Sequence, residues 1–132
     1  MDRAQLPPSL DDLAEIAERA MTRLPTAFRE PVKSIPILIE EFPDEEVCRE
    51  MDLESPFDIL GLYQGVDLAS KSVLDAPADL DRIFLYRRPI LDYWCETAEE
   101  LDHIVAHVLI HEIGHHFGLS DADMEKIEAS VR

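Results

Sequence analysis

The sequence predicts an α+β fold in which a small sheet packs with an N-terminal helix, a long helix and a short C-terminal helix. Three observations predict it. Apolar residues recur at helical spacing near both ends of the chain. Short apolar segments bounded by proline lie between these regions and are typical of strands. The chain also has 132 residues, the usual length of one domain, so a single domain over residues 1–132 is expected.

The N-terminal helix is predicted over residues 10–24, where the apolar residues fall on one helical face. Ser9 is expected to cap its first turn, in which Asp11 and Asp12 complement the helix dipole. Pro25 is expected to end the helix, because proline cannot continue it.

Three segments carry strand signals. Residues 35–42 (IPILIEEF) predict the first strand, and Pro36 confines its start to an edge or an end of the sheet. Residues 62–63 predict a brief second strand. Residues 81–90 (DRIFLYRRPI) alternate in the manner of a third strand, which Pro89 is expected to end.

The segments around these strands carry weaker signals. The acidic residues 44–51 predict a turn or two of helix, and residues 66–80 predict a surface connection. The arginine pair at residues 87–88 is interpreted as two solvated cations at a strand end, with binding of a substrate carboxylate as the alternative.

The long helix is predicted over residues 98–117. Thr97 and Glu100 have the spacing of a capping box at its start, and Gly118 is expected to end it. The serine two residues after this glycine is expected to cap the last helix, over residues 121–131.

The charge balance restricts the partners. The chain has 29 acidic and 12 basic residues and a net charge of −17, which repels nucleic-acid phosphates and anionic lipid head groups. No signal peptide or membrane span is visible, and Cys48 and Cys95 lack metal-site spacing. A cytoplasmic protein that binds neither nucleic acid nor membranes is therefore expected.

Residues 111–115 of the long helix read HEIGH. A spacing of four places His111 and His115 one turn apart on one face, so that both imidazoles can bind the same metal ion. Glu112 can then contact a water on the metal without being a ligand. Neutral imidazole suits zinc, and the pattern therefore predicts Zn²⁺ as the cofactor.

A catalytic zinc normally has three protein ligands. Gly118 lies three residues beyond His115, and the positive φ that glycine readily adopts would turn the chain back toward the ion. Asp121 follows three residues later and is the predicted third ligand. It is also expected to support the first turn of the last helix, and the two roles are compatible.

The segment HEIGHHFGLSD (residues 111–121) resembles the extended zincin pattern HExxHxxGxxH/D, with aspartate where most metzincins have a third histidine. It is more similar to a family of small bacterial zincin-like proteins, described as possible zinc metallopeptidases. That resemblance extends back through DRIFLYRRPI to LGLYQG and implies a compact α+β fold with the active-site helix packed on a small sheet. Metzincins also carry a methionine turn beyond the third ligand, whereas Met124 is predicted to be a packing residue of the last helix.

These features predict a zinc-dependent, metallopeptidase-like hydrolase with a peptide or protein substrate. Glu112 is the predicted catalytic base: it takes a proton from the zinc-bound water, which attacks a peptide or amide carbonyl. Tyr86 and Tyr93 are candidates for a second oxyanion donor by residue type, and an ordinary half-buried tyrosine is the alternative for each.

Histidines recur every fourth residue from His103 to His115, so His107 and His111 form a rival pair. This pair lacks a following glycine turn, and His107 is interpreted as a residue that supports the metal site or packs in the core. His103 is predicted to lie at the surface, and His116 to be solvated or to support the site.

Two other classes of function stay open. A metal-dependent endoribonuclease has a similar H-x3-H-x5-H spacing with a glycine in the same interval, but Glu112 and the charge of −17 disfavour it. A metal-binding module without catalysis would hold zinc with four protein ligands and leave no position for water.

Overall fold

The computed structural model describes residues 6–65 and 81–131, so the predicted connection over residues 66–80 lies outside the described residues. These ranges form an α+β fold with six α-helices and a three-stranded mixed sheet, which confirms the predicted fold class. The helices are α1 (Leu10–Arg23), α2 (Thr26–Arg29), α3 (Glu45–Glu50), α4 (Arg87–Glu96), α5 (Leu101–His116) and α6 (Asp121–Ser130), with a 3₁₀ turn at Glu30–Val32. The strands are β1 (Ile37–Glu40), β2 (Gly61–Gln64) and β3 (Arg82–Tyr86). None of the described helices is both long and apolar enough to cross a membrane.

Helix α1 begins and ends as predicted. The Ser9 hydroxyl accepts a hydrogen bond from the Asp12 backbone N–H at 3.0 Å, and the Asp12 carboxylate accepts one from the Ser9 N–H at 2.9 Å. This capping box satisfies two N–H groups that would otherwise lack partners. Leu24 is the C-cap directly before Pro25, and the buried face of α1 packs against α5 and β1.

The strand order is β1-β3-β2, with β1 parallel and β2 antiparallel to the central strand β3. β1 lies at an edge of the sheet, one of the two placements that Pro36 allows, because proline has no N–H to donate to a neighbouring strand. Ile83 and Leu85 of the central strand are fully buried, in the same core as the apolar residues of α5. The sheet therefore forms the support on which α5 lies.

The region after β3 corrects the prediction of a strand up to Pro89. β3 ends at Tyr86 and α4 begins at Arg87, so Pro89 is the third residue of a helix. Proline is tolerated there because N–H groups in a helix's first turn have no intrahelical acceptor. Arg87 is not a solvated cation: its Nε donates to the Pro8 carbonyl at 2.6 Å, and its Nη1 lies 2.9 Å from Glu41 Oε1.

The start of α5 also differs from the prediction. The helix begins at Leu101 rather than near Ala98, and Thr97 and Glu100 do not form a capping box. Thr97 instead ends α4, where its backbone N–H donates to the Tyr93 carbonyl at 3.0 Å. Glu100 is the N-cap of α5 without a side-chain hydrogen bond. The unpredicted α4 therefore shifts the start of α5 toward the C-terminus.

Helix α6 packs on α5 through Met124, which is fully buried. Met124 lies against Gly114, where a Cβ would collide with the methionine sulfur, so the missing side chain lets the two helices approach. Met124 is thus a packing residue, as predicted. Gly118 has a φ of 73° directly after α5, and Ser120 caps α6, both as predicted.

Gly61 lets β2 lie close to α5. A Cβ at this position would lie 2.6 Å from Val108 Cγ1 and 2.9 Å from the Phe84 carbonyl oxygen. We expect Gly61→Ala to destabilise the protein by about 1–3 kcal/mol in urea unfolding, because the strand must move away from the helix. Adding Val108→Ala removes the Val108 methyl group that the new Cβ would meet, and should recover part of the lost stability. Strictly additive effects would exclude this close contact as the cause.

Candidate active site

One face of α5 carries three histidines, His107, His111 and His115, each one turn from the next. The ring centroids of His107 and His111 are 4.0 Å apart, and those of His111 and His115 are 5.9 Å apart. His111 therefore lies between two possible partners for the binding of a metal ion.

His111 fits a metal site. Its Nε2 atom is buried and has no hydrogen-bond partner among the described residues. Burial and the neighbouring His107 lower the pKa of His111 and outweigh Glu128 and Asp121, which raise it. The imidazole is therefore neutral at neutral pH, which is the form that binds metal ions.

The three predicted ligands do not all lie together. His115 and Asp121 are exposed, near the end of α5 and at the start of α6. In the part of the chain that the structure describes, the side chains with ligand atoms within 4.8 Å of one another are His107, His111 and Glu128. Asp121 acts on His111 through its charge but lies outside this group. Zinc binding by His111, His115 and Asp121 therefore stays a prediction.

Glu128 is the residue that the sequence reasoning missed. Its Oε1 and Oε2 lie 2.8 and 3.0 Å from His107 Nδ1, and Oε2 lies 3.8 Å from His111 Nε2. Asp121, Met124 and Glu128 share one face of α6, so the burial of Met124 on α5 turns both carboxylates toward the histidines. That spacing is the signal by which Glu128 could have been found. The prediction that His107 packs in the core is wrong, because it is exposed; its contact with Glu128 is compatible with a supporting role.

Glu112 is partly buried and accepts a hydrogen bond from the Tyr63 backbone N–H of β2 at 3.1 Å. Burial raises the pKa of Glu112, and the Tyr63 N–H and His115 only partly oppose the rise. A carboxylate whose pKa is raised holds a proton more readily than an ordinary one, and this suits a group that must accept and return a proton. The environment of Glu112 is thus that of a potential general base.

His111 and Glu112 line the same groove, which has a volume of about 550 Å³ and also borders β2 and α4. Tyr93 lines this groove with an exposed fraction of 41%, so it keeps its place as a candidate oxyanion donor. Tyr86 is only 2% exposed and belongs to the core, so it is neither at the groove nor half-buried as its alternative interpretation had it. Neither arginine of residues 87–88 is among the described lining residues, so binding of a substrate carboxylate by this pair has no support.

Tyr63 holds β2 in place beside Glu112. Its ring stacks on His116 with the centroids 3.9 Å apart, and its hydroxyl donates to Asp81 at 3.3 Å. Burial and the nearby Asp81 raise the pKa of Tyr63 to about 12, so the hydroxyl stays a donor at neutral pH. His116 is exposed, and its stacking contact with Tyr63 is compatible with the supporting role predicted for it.

The raised pKa of Glu112 predicts how stability depends on pH. A raised pKa means that the folded protein binds this proton more tightly than the unfolded chain. The resulting stabilisation is present below the unfolded pKa of 4.5 and is lost as the pH rises through the folded pKa. Glu112→Gln keeps an acceptor for the Tyr63 N–H and removes this loss, so metal-free Glu112→Gln should be more stable than the wild type at pH 7.

Urea unfolding in the presence of a chelator, at a series of pH values between 4 and 7, measures this difference. The stabilisation by Glu112→Gln should shrink toward the acidic end of the series. The matched control is Glu125→Gln, an exposed residue of α6, which should show no such trend. A stability difference for Glu112→Gln that is constant across the series would argue against burial as the cause of the raised pKa.

The family model described as zincin-like metallopeptidase matches residues 32–131 of this chain. The match runs from just before β1 to the end of α6 and includes all five histidines of α5, Glu112 and the walls of the groove. No curated protein matches the chain. The match covers well over half of the sequence, and the small α+β fold is consistent with a zincin-like protein. Together they confirm the resemblance seen in the sequence. The chain belongs to the zincin-like metallopeptidase family.

Proposed function

We propose that the protein is a zinc-dependent peptidase in which His111, His115 and Asp121 hold the ion and Glu112 is the catalytic base. The observation that carries the proposal is that the Glu112 carboxylate and the unpartnered, neutral His111 imidazole line one groove. Membership of a family of metallopeptidases supports a peptide bond as the target. Two imidazoles and one carboxylate are ligands that zinc takes in catalytic sites, with a fourth position left for water.

Zinc bound to these ligands would supply a Lewis acid that makes water more acidic and polarises a carbonyl. Glu112 would accept the proton of the attacking water at its carboxylate, where burial favours the protonated form. The same group would return the proton to the leaving amine as the peptide C–N bond breaks. The Tyr63 N–H, 3.1 Å from Glu112 Oε1, orients the carboxylate for both transfers.

The charges of the groove favour a peptide over a polynucleotide. Besides Glu112, three acidic residues line the groove: Glu99, Glu125 and Glu128. No lysine or arginine occurs among its described lining residues. A phosphate backbone would meet like charge here and over a chain of net charge −17, so we infer a peptide or protein substrate rather than RNA.

The direct test offers the protein both kinds of substrate. Zinc-loaded and chelator-treated samples are incubated with a peptide library and, in parallel, with structured RNA, and the products are identified by mass spectrometry. We expect peptide cleavage that is lost with the chelator and restored by zinc, and intact RNA. Cleaved RNA, or intact peptides in a sample with full zinc loading, would contradict the proposed function.

A further inference from the structure

We propose that His107, His111 and Glu128 form a second zinc site, which competes with the site of the proposed peptidase for His111. The inference goes beyond peptide hydrolysis and holds whether or not the protein is a peptidase. It concerns where an ion can bind along α5, and it involves two residues, His107 and Glu128, that neither hold the ion nor transfer a proton in the proposed peptidase.

The positions of the ligand atoms carry the proposal. One ligand atom from each of the three side chains lies within 4.8 Å of the other two. Bonds of about 2.1 Å around a tetrahedral zinc place its ligand atoms about 3.4 Å apart. His111 Nε2 and Glu128 Oε2, at 3.8 Å, are already close to this separation. His107 Nδ1 is nearer to the carboxylate, at 2.8 and 3.0 Å, so an ion would replace this hydrogen bond after a small outward movement.

The environment of the cluster also suits an ion. His111 contributes a buried nitrogen that has no hydrogen-bond partner among the described residues, and a bound cation would satisfy it. The side chain of Glu128 is only 13% exposed, whereas that of His107 is 51% exposed. All three side chains line the groove of about 550 Å³, which gives an ion access from solvent. Two imidazoles and a carboxylate suit a divalent transition metal such as zinc, rather than calcium or magnesium.

The two sites exclude each other because both require the imidazole of His111. α6 offers one carboxylate to each site: Asp121, the ligand proposed for the first site, and Glu128, which lies 2.8 Å from His107. The chain therefore holds one zinc ion in either of two positions. Occupation of the second site withdraws His111 from the first.

The test removes the residues that belong to the first site alone. The double variant His115→Ala with Asp121→Asn is titrated with Zn²⁺ in competition with a chromophoric chelator, and with Co²⁺ to record the visible absorption of a tetrahedral site. We expect the double variant to bind about one ion per chain. Adding either His107→Ala or Glu128→Gln should weaken this binding at least about 10-fold. The matched control, Glu125→Gln, lies on the same helix and in the same groove and should leave binding unchanged.

Two results would overturn the proposal: a double variant that binds no ion, or binding that persists unchanged after both His107→Ala and Glu128→Gln. Circular dichroism of the metal-free variants excludes misfolding as the reason for lost binding, and Glu128→Gln keeps the size of the side chain. Failure of the peptidase proposal is seen separately, as absence of peptide cleavage by the zinc-loaded wild type. The two inferences can therefore fail independently.

Discussion

Replacing Glu112 with glutamine is expected to reduce peptide hydrolysis by about 10²- to 10⁴-fold while the zinc content of the protein stays the same. Glutamine has the shape of glutamate and can still accept the Tyr63 hydrogen bond, but it cannot take a proton from water. Glu112 is also not one of the proposed ligands, so the ion should remain. Rates on a cleaved library peptide and zinc content by elemental analysis, on the same samples, measure both parts of the prediction.

The control for this substitution is Glu125→Gln, which removes one negative charge from the same groove without touching the proposed base. Glu125→Gln should keep most of the peptidase activity. A loss of activity in Glu112→Gln alone is then due to lost proton transfer and not to the change in the groove's charge. Full activity in Glu112→Gln would remove Glu112 from the mechanism. Lost zinc in Glu112→Gln would instead assign Glu112 a part in metal binding.

The same substitution links catalysis to stability. Glu112 is partly buried, and its charged form is disfavoured there, as its raised pKa indicates. Glu112→Gln should therefore be inactive and yet more stable than the wild type at neutral pH. This combination is expected when a protein keeps a destabilising group because the reaction needs it. A purely structural glutamate would give the opposite result, since its replacement would not stabilise the protein.

The parts of the fold that could be predicted are those with local signals. Ser9 and Ser120 each begin a capping box, and Gly118 has the positive φ that ends a helix, so α1, α6 and the end of α5 follow from neighbouring residues. Pro36 restricts the start of the first strand to an edge or an end of the sheet in the same way, and the edge position of β1 agrees with this restriction.

Helix α4 could not be predicted in this way, because its sequence signals conflict. Residues 81–86 alternate like a strand, and Pro89 three residues later indicates that regular structure stops. Proline is also compatible with the first turn of a helix, and the contacts of Arg87 with Pro8 and Glu41 that hold this turn come from distant parts of the chain. Because α4 extends to Glu96, Thr97 is the C-cap of α4 and cannot be the N-cap of α5.

In the candidate site, too, some features follow from neighbouring residues and others depend on contacts between distant parts of the chain. The spacing of His111, Glu112 and His115 on one helix is local, and the sequence alone placed these residues together. The Tyr63 N–H that holds Glu112 and the Glu128 carboxylate beside His107 depend on how β2 and α6 pack against α5. Gly61 and Gly114 permit this close packing, but a glycine in a sequence does not say which element will approach it.

His111→Ala is expected to remove zinc binding almost completely, with an affinity loss of more than about 100-fold. His111 lies between His107 and His115, so both arrangements of ligands need its imidazole. Loss of either outer histidine leaves one arrangement intact, whereas loss of the middle one leaves neither. Zinc per chain is measured by elemental analysis after dialysis against a fixed zinc concentration.

The matched control is His103→Ala, a histidine on the same helix whose side chain is 43% exposed and lies 3.8 Å from Glu100. It should keep the zinc content of the wild type. His111→Ala should also fold, because His111 Nε2 makes no hydrogen bond with any described residue, and metal-free samples of both variants should give similar circular dichroism spectra. If His111→Ala retains undiminished zinc, the ion binds elsewhere on this acidic chain, and neither arrangement of ligands along α5 is correct.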